Sequence, residues 1–249
     1  MTQQVEPGPT ARLGRAVGAP ATVNGVVLVL PGGEPESARG PSPWAYAAAR
    51  PLARELAAAG GSEGLAVHLV RYRGRGWNGG AARLAADAQW AVEEVVRRYG
   101  DVPVCLAGLD MGGRAALRAA GHEAVGPVVA LAPWLPGGAA DEEPVRQLVG
   151  RQVLIVHGTD DGRADPELSF RLAERVKKAN RDTCRFEVHS DGHGMRQHRG
   201  EVRALVADFV LGSLFGRPYA RAVADALAAP PPLGLRMPLA SGFGAGGRS

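Results

Sequence analysis

Short runs of β-branched and aliphatic residues recur along the chain at positions 26–30, 65–70, 102–107, 128–131, 153–156 and 184–189, most of them closed off by Gly, Pro or Asp within a few residues. Between them lie stretches with helical spacing at 43–59, 81–99, 113–120, 165–179 and 198–215. A strand that is apolar on both faces can meet water on neither, so it needs helices above and below. Alternation of such strands with helices specifies an α/β architecture, a mostly parallel sheet with helices on both faces. Pro51 removes a backbone donor inside the first helix and is expected to kink it.

Only a brief segment, 141–149, separates the loop after the fourth strand from the fifth, so no inserted cap domain is expected. Positions 1–21 read as a lead-in and 22–228 as the folded domain. The tail at 229–249, with Pro230, Pro231 and Pro232 and a glycine-rich end, reads as a disordered extension. No internal repeat is present.

Composition narrows the classes further. In 249 residues, 45% are hydrophobic and 22% charged, an ordinary globular balance that excludes a disordered chain. The Val/Leu run at 26–30 falls far short of the roughly 20 residues a membrane span needs. The first sixteen residues hold no apolar segment that could direct secretion, and a cytoplasmic location is expected. The net charge is +4, but the basic residues are scattered, and all but two of the 29 are arginine. That pattern fits a G+C-rich coding sequence better than a nucleic-acid footprint, so no nucleic-acid partner is expected. The densest basic group, Arg71, Arg73 and Arg75, lies in a predicted loop beside Trp77 and reads as a solvated face, with an anion site as the alternative. Cys105 and Cys184 fall in predicted strands without motif spacing and read as inert core thiols.

The stretch that carries chemistry is Gly108-Leu109-Asp110-Met111-Gly112-Gly113, between a strand and an Ala- and Arg-rich helix. Glycines two before and two after a central residue allow a sharp, strained turn that lifts the central side chain above the sheet, as in a nucleophile elbow. Asp110 is that residue. The plainer reading is a tight strand-to-helix turn with Asp as the helix cap.

Two later segments follow the fifth and sixth strands: His157-Gly158-Thr159-Asp160-Asp161-Gly162-Arg163 and Ser190-Asp191-Gly192-His193-Gly194-Met195. With the three segments in this order, the sequence resembles the α/β-hydrolase superfamily, whose order is nucleophile, acid, histidine, over roughly positions 26–215. The resemblance implies an α/β-hydrolase fold, with His193 as the base and Asp161 as the acid that orients it, Asp160 being the alternative one register away. It also implies an oxyanion site built from the Pro31-Gly32-Gly33 turn and the backbone N–H of Met111. His157 is expected to pack at its strand end; His68, His122, His189 and His198 have no partner pattern.

The sequence departs from most of that superfamily in carrying Asp110 where Ser is usual. A carboxylate attacking an ester carbonyl forms a mixed anhydride that expels the carboxylate again more readily than the alkoxide. It is better suited to a saturated carbon bearing a halide or an epoxide oxygen, giving an alkyl ester that His193-activated water hydrolyses. Haloalkane dehalogenases and epoxide hydrolases are the relatives with an elbow Asp. Dehalogenases usually have Trp after the nucleophile, where this chain has Met111, and the interval 133–151 is too short for the tyrosine-bearing cap of the epoxide hydrolases. Ser37 and Ser42 lie in another loop and do not replace the elbow serine.

The expected function is therefore hydrolysis of a small organic molecule of the ester, lactone, epoxide or haloalkane class through an Asp-His-Asp constellation. The alternatives are a cofactor-free lyase or cyclase using the same groups as acid and base, and a catalytically degenerate relative that only binds a ligand. Tyr72, Trp77 and Trp134 are candidate pocket walls, with core packing as the other reading of each. No feature demands a metal or an organic cofactor, and a small-molecule substrate is the expected partner.

Overall fold

In the computed structural model, which describes residues 10–18, 20–137 and 142–245, the aliphatic runs lie side by side in one sheet. Its strands are β1 (Arg12–Leu13), β2 (Gly25–Leu30), β3 (Leu65–Arg71), β4 (Val104–Leu109), β5 (Val125–Leu131), β6 (Gln152–Gly158), β7 (Thr183–Val188) and β8 (Met237–Pro238). They are ordered β1-β3-β2-β4-β5-β6-β7-β8, and every neighbouring pair is parallel except β1, which runs antiparallel to β3. The helices are α1 (Pro43–Gly60), α2 (Arg83–Tyr99), α3 (Met111–Ala119), α4 (Pro166–Ala179), α5 (Arg199–Phe215) and α6 (Arg221–Ala228).

The period-two alternation of each strand divides the core. Val26, Leu28 and Leu30 of β2 join the cluster that takes in α2, α3 and α4, while Val27 and Val29 join the cluster under α1, α5 and α6. Both clusters are buried, which is why these strands read as unbroken aliphatic runs. Local chemistry fixes the helix starts. Ser42 and Asp165 each accept a backbone N–H of the first turn, and Pro43 and Pro166 follow them at the first helical position, where the missing donor costs nothing. Helix α1 continues through Pro51 to Gly60 as a single helix.

Between β5 and β6 the described residues form one short 3₁₀ turn, Arg146–Leu148, so the strand ends on this side carry no inserted domain among the described residues. No helix of the described residues is long and apolar enough to cross a membrane.

Both ends of the chain differ from expectation. The lead-in contributes β1, and Val17 forms a further antiparallel bridge to Val67. The tail is not a disordered extension over its described part, up to Ala245. Strand β8 pairs with β7, and Leu235 is fully buried. The cause lies far away in sequence: buried Arg185 of β7 donates from its side chain to the Leu235 carbonyl and from its backbone to the Gly234 carbonyl. Arg236 adds ion pairs to Glu167 and Glu187 and stacks 3.7 Å over Phe170. Residues 246–249 lie outside the described residues.

If the tail is part of the core, Leu235→Ala should lower unfolding stability by about 2–5 kcal/mol, the usual cost of a large-to-small change at a buried position. Chemical denaturation checks this, and a change below about 0.5 kcal/mol, typical of surface substitutions, would return the tail to the status of an appendage.

Candidate active site

The turn between β4 and α3 is closed by two contacts that tolerate no side chain. A Cβ on Gly108 would lie 2.0 Å from the Gly112 carbonyl oxygen, and one on Gly112 would lie 2.2 Å from the Leu30 carbonyl oxygen of β2. Between them Asp110 takes φ 55° and ψ −123°, a strained conformation for a residue with a Cβ. Its N–H donates to the Leu131 carbonyl at the end of β5, and its carbonyl accepts from Gly113, Arg114 and Trp134. The elbow is thereby fixed at the carboxyl ends of β2, β4 and β5, with the Asp110 side chain above them.

The loops after β6 and β7 bring their residues to the same place. Asp161 accepts His193 Nδ1 at 2.7 Å and His157 Nε2 at 3.0 Å on Oδ2, and the backbone N–H groups of Arg163 and Ala164 on Oδ1. Burial alone would raise its carboxyl, but these hydrogen bonds outweigh it and hold Asp161 well below the usual carboxylate range. The side chain of Asp160 is exposed and takes only the Thr159 hydroxyl, so Asp161 is the one of the two aspartates in contact with His193.

His193 Nδ1 donates to the Asp161 carboxylate, which leaves Nε2 as the ring nitrogen on the Asp110 side. That Nε2 lies 3.6 Å from Asp110 Oδ1, beyond hydrogen-bond distance, and Oδ1 is buried without a partner. The other oxygen, Oδ2, accepts from Arg163 Nη2 at 2.9 Å. Burial raises the Asp110 carboxyl above its ordinary value, with Asp161 adding to the rise; Arg163, His193 and the Met111 N–H oppose it without cancelling it. Gly32 packs directly on this group, since a Cβ there would sit 3.0 Å from Asp110 Oδ2. Gly33 is confined in turn by the Arg75 carbonyl and Leu84, each 2.6 Å from where its Cβ would be.

Of the three aromatic candidates, Tyr72 alone lines the cleft of about 460 Å³ that opens beside the elbow and meets it at Pro31 and Gly32. Trp77 and Trp134 do not line it. Trp77 is buried with the Arg114 guanidinium 4.1 Å over its ring, and Trp134 lies 5.9 Å from the same group. Arg114 in turn pairs with buried Glu143, so both indoles pack around a charge inside the core. Ser42 caps α1, and Ser37 joins Asn78 in the neighbouring loop. Cys105 and Cys184 are free and buried, and burial pushes both thiols up, away from the reactive thiolate. Among the described residues no three His, Cys, Asp or Glu side chains converge as a metal site.

Three contributors escaped the sequence reading. Arg163 was visible two residues after Asp161, but its reach back to Asp110 depends on the loop's fold. His157 is fully buried and supports Asp161 from behind, its Nδ1 bonded to Ser169. Asp191 accepts the N–H groups of Gly192, Arg196, Gln197 and His198, which shapes the loop that carries His193.

The charge of Asp161 should be visible in stability. Asp161→Asn is expected to cost about 1–3 kcal/mol at neutral pH by breaking a buried hydrogen-bond set. Since the folded-state value is depressed, this contribution is full above the unfolded aspartate value of about 4 and is lost as pH falls below it. Denaturation of both proteins across acidic pH should show the gap narrowing downward from there, and a gap constant with pH would contradict the ionised network.

No protein-family model and no curated protein matches the sequence. Solved structures do match. The Pyrococcus furiosus esterase Pf2001 superposes with a TM-score of 0.59 at 18% identity, covering 77% of this chain and 82% of its own. TT1662 from Thermus thermophilus gives 0.60 at 17% identity over 83% of this chain and 99% of its own. An alpha-beta serine hydrolase homologue from Coxiella burnetii gives 0.55 at 16% identity over 79% and 89%. With the strand order, the elbow after β4 and the loops after β6 and β7, these likenesses establish that the chain adopts the α/β-hydrolase fold.

Proposed function

We propose that the chain is a hydrolase of small organic molecules that uses Asp110 as a covalent nucleophile. One observation carries this reading: the two oxygens of the Asp110 carboxylate sit in different surroundings, Oδ1 bare and facing His193 Nε2, Oδ2 held by Arg163 and pressed against Gly32. An attacking oxygen must be free, and the oxygen that becomes the ester carbonyl must meet donors. The carboxylate is divided in that way. Esterases of the same fold, such as the Pyrococcus furiosus enzyme, support hydrolysis as the general class.

In the first step Oδ1 attacks a saturated carbon as the carbon–halogen or carbon–oxygen bond breaks: a halide departs with the electron pair, whereas an epoxide oxygen keeps it as an alkoxide on the substrate and takes a proton from water. In the second, His193 Nε2 takes a proton from water and the hydroxide attacks Asp110 Cγ. Arg163, with the N–H groups of Gly32, Gly33 and Met111, stabilises the negative charge that then builds on Oδ2. Collapse expels the product alkoxide, which takes the proton from His193, and Asp110, now holding one oxygen from water, loses the remaining hydroxyl proton to solvent and is a carboxylate again. Asp161 keeps His193 in the required tautomer. Epoxides and haloalkanes suit this sequence; esters and lactones do not, because their acyl adduct on a carboxylate is an anhydride.

Turnover of an epoxide or haloalkane in heavy-oxygen water should place label in the Asp110 carboxylate, read by mass spectrometry of its peptide. His193→Gln should accumulate the alkylated Asp110, since attack needs no base and hydrolysis does. Product formation with an unlabelled Asp110 would replace this reading with general acid–base catalysis of the lyase or cyclase kind. No turnover across epoxides, haloalkanes, lactones and activated esters would leave a ligand-binding relative.

A further inference from the structure

The arginines that are dispersed in sequence converge at one place in space. The cleft beside the elbow carries Arg12 from β1, Arg50 from α1, Arg71 from the end of β3 and Arg75 from the loop beyond, and no Asp or Glu is among its lining residues. Arg75 is engaged, with Nε on the Gly40 carbonyl and Nη1 3.4 Å from Glu34. The side chains of Arg12, Arg50 and Arg71 have no partner among the described residues. Arg12 and Arg71 stand directly opposite each other in the β1–β3 ladder, where like charges destabilise the pairing. An arrangement that repels itself when empty is relieved by an anion.

A second observation concerns the same cleft. Tyr72 lines the cleft, is almost fully buried, and its hydroxyl has no hydrogen-bond partner. A buried hydroxyl without a partner is costly unless something arrives to accept its proton. Burial, with Asp87 and Asp110 nearby, pushes the phenol well above its ordinary value, so it stays a donor. Ser42 and Pro43 place the positive end of α1 on the same wall. The rest of the lining is apolar, including Leu13, Pro31, Pro41, Tyr46 and Val70.

We propose that this cleft binds a small organic anion, a carboxylate or phosphate monoester on an apolar body, with the anionic group held by Arg12, Arg50 and Arg71 and the Tyr72 hydroxyl donating to the ligand. A volume of about 460 Å³ accommodates such a molecule. Gly32, which packs on Asp110, also lines the cleft, so the anion site adjoins the elbow. That it is also the substrate rests on the hydrolase reading above; the binding itself does not.

Isothermal titration of the full chain with 4-phenylbutyrate, phenyl phosphate and neutral 4-phenylbutanol tests the site, repeated on Asp110→Asn so that catalysis plays no part. Both anions, or the preferred one of them, should bind at least about tenfold more tightly than the alcohol, the difference one charge-assisted contact makes. The stronger of the two identifies the head group. Arg12→Gln and Arg71→Gln are surface changes that leave the fold intact, and each should weaken the anion about tenfold without affecting the alcohol. Tyr72→Phe, which removes only the hydroxyl, should also weaken it. Equal affinity for anion and alcohol, no binding, or anion binding indifferent to Arg12 and Arg71 would overturn the proposal. Anion binding with Asp110 never labelled on turnover would uphold the cleft and sink the covalent reading, whereas alkylation of Asp110 by neutral substrates with no anion binding would do the reverse.

Discussion

The structure depends on a place where no side chain fits. Gly112 lies so close to the Leu30 and Pro31 carbonyls that any Cβ would overlap them, and Gly108 is closed off by Gly112 itself. This contact draws the start of α3 against the end of β2 and forces Asp110 into a conformation that costs on the order of 1–3 kcal/mol for a residue of its type. The hydrogen bond to Leu131 and the three that converge on the Asp110 carbonyl hold it there. Everything that follows, from the position of the carboxylate to its contact with Gly32, is a consequence of that close approach.

Two buried carboxylates a few ångströms from one histidine then behave in opposite ways, and the reason is the number of donors each receives. Asp161 is met by four N–H groups, two from imidazoles and two from the chain, and is held as an anion. Asp110 has Arg163 on one oxygen and nothing on the other, so burial prevails and its carboxyl is raised. Groups driven apart in this manner by their surroundings take different chemical parts. Asp161 is the fixed charge at His193 Nδ1, and Asp110 is the raised carboxyl on the Nε2 side of the same ring.

Much of this was legible in the sequence because it was written in local pattern. Six strands and five helices were marked by aliphatic runs and helical spacing, and the elbow by its glycines. What escaped depended on partners far along the chain. β8 looked like a proline-rich tail because nothing in 229–249 reveals that buried Arg185 of β7 donates to the Gly234 and Leu235 carbonyls. β1, only two residues long, is defined by its register on β3. Asp161 and its alternative Asp160 are neighbours in sequence and are separated by which one the loop turns inward. Trp77 and Trp134 looked like pocket walls since tryptophan near a strand end often is one, and the buried Arg114 that claims them is on another element. Of the arginine cluster at 71–75, Arg71 and Arg75 line the cleft together with Arg12 of β1 and Arg50 of α1, while Arg73 pairs with buried Asp87.

Asp110 is a desolvated carboxylate kept from rising further by Arg163. Carbon-13 NMR titration of aspartate side chains, with the Asp110 signal assigned by its loss in Asp110→Asn, measures this directly. Asp110 should titrate above the ordinary aspartate value of about 4 and move higher still in Arg163→Ala, because the cation that favours the charged form is gone. An Asp110 that titrates at the ordinary value and does not respond to Arg163 would contradict the divided carboxylate on which the chemistry rests.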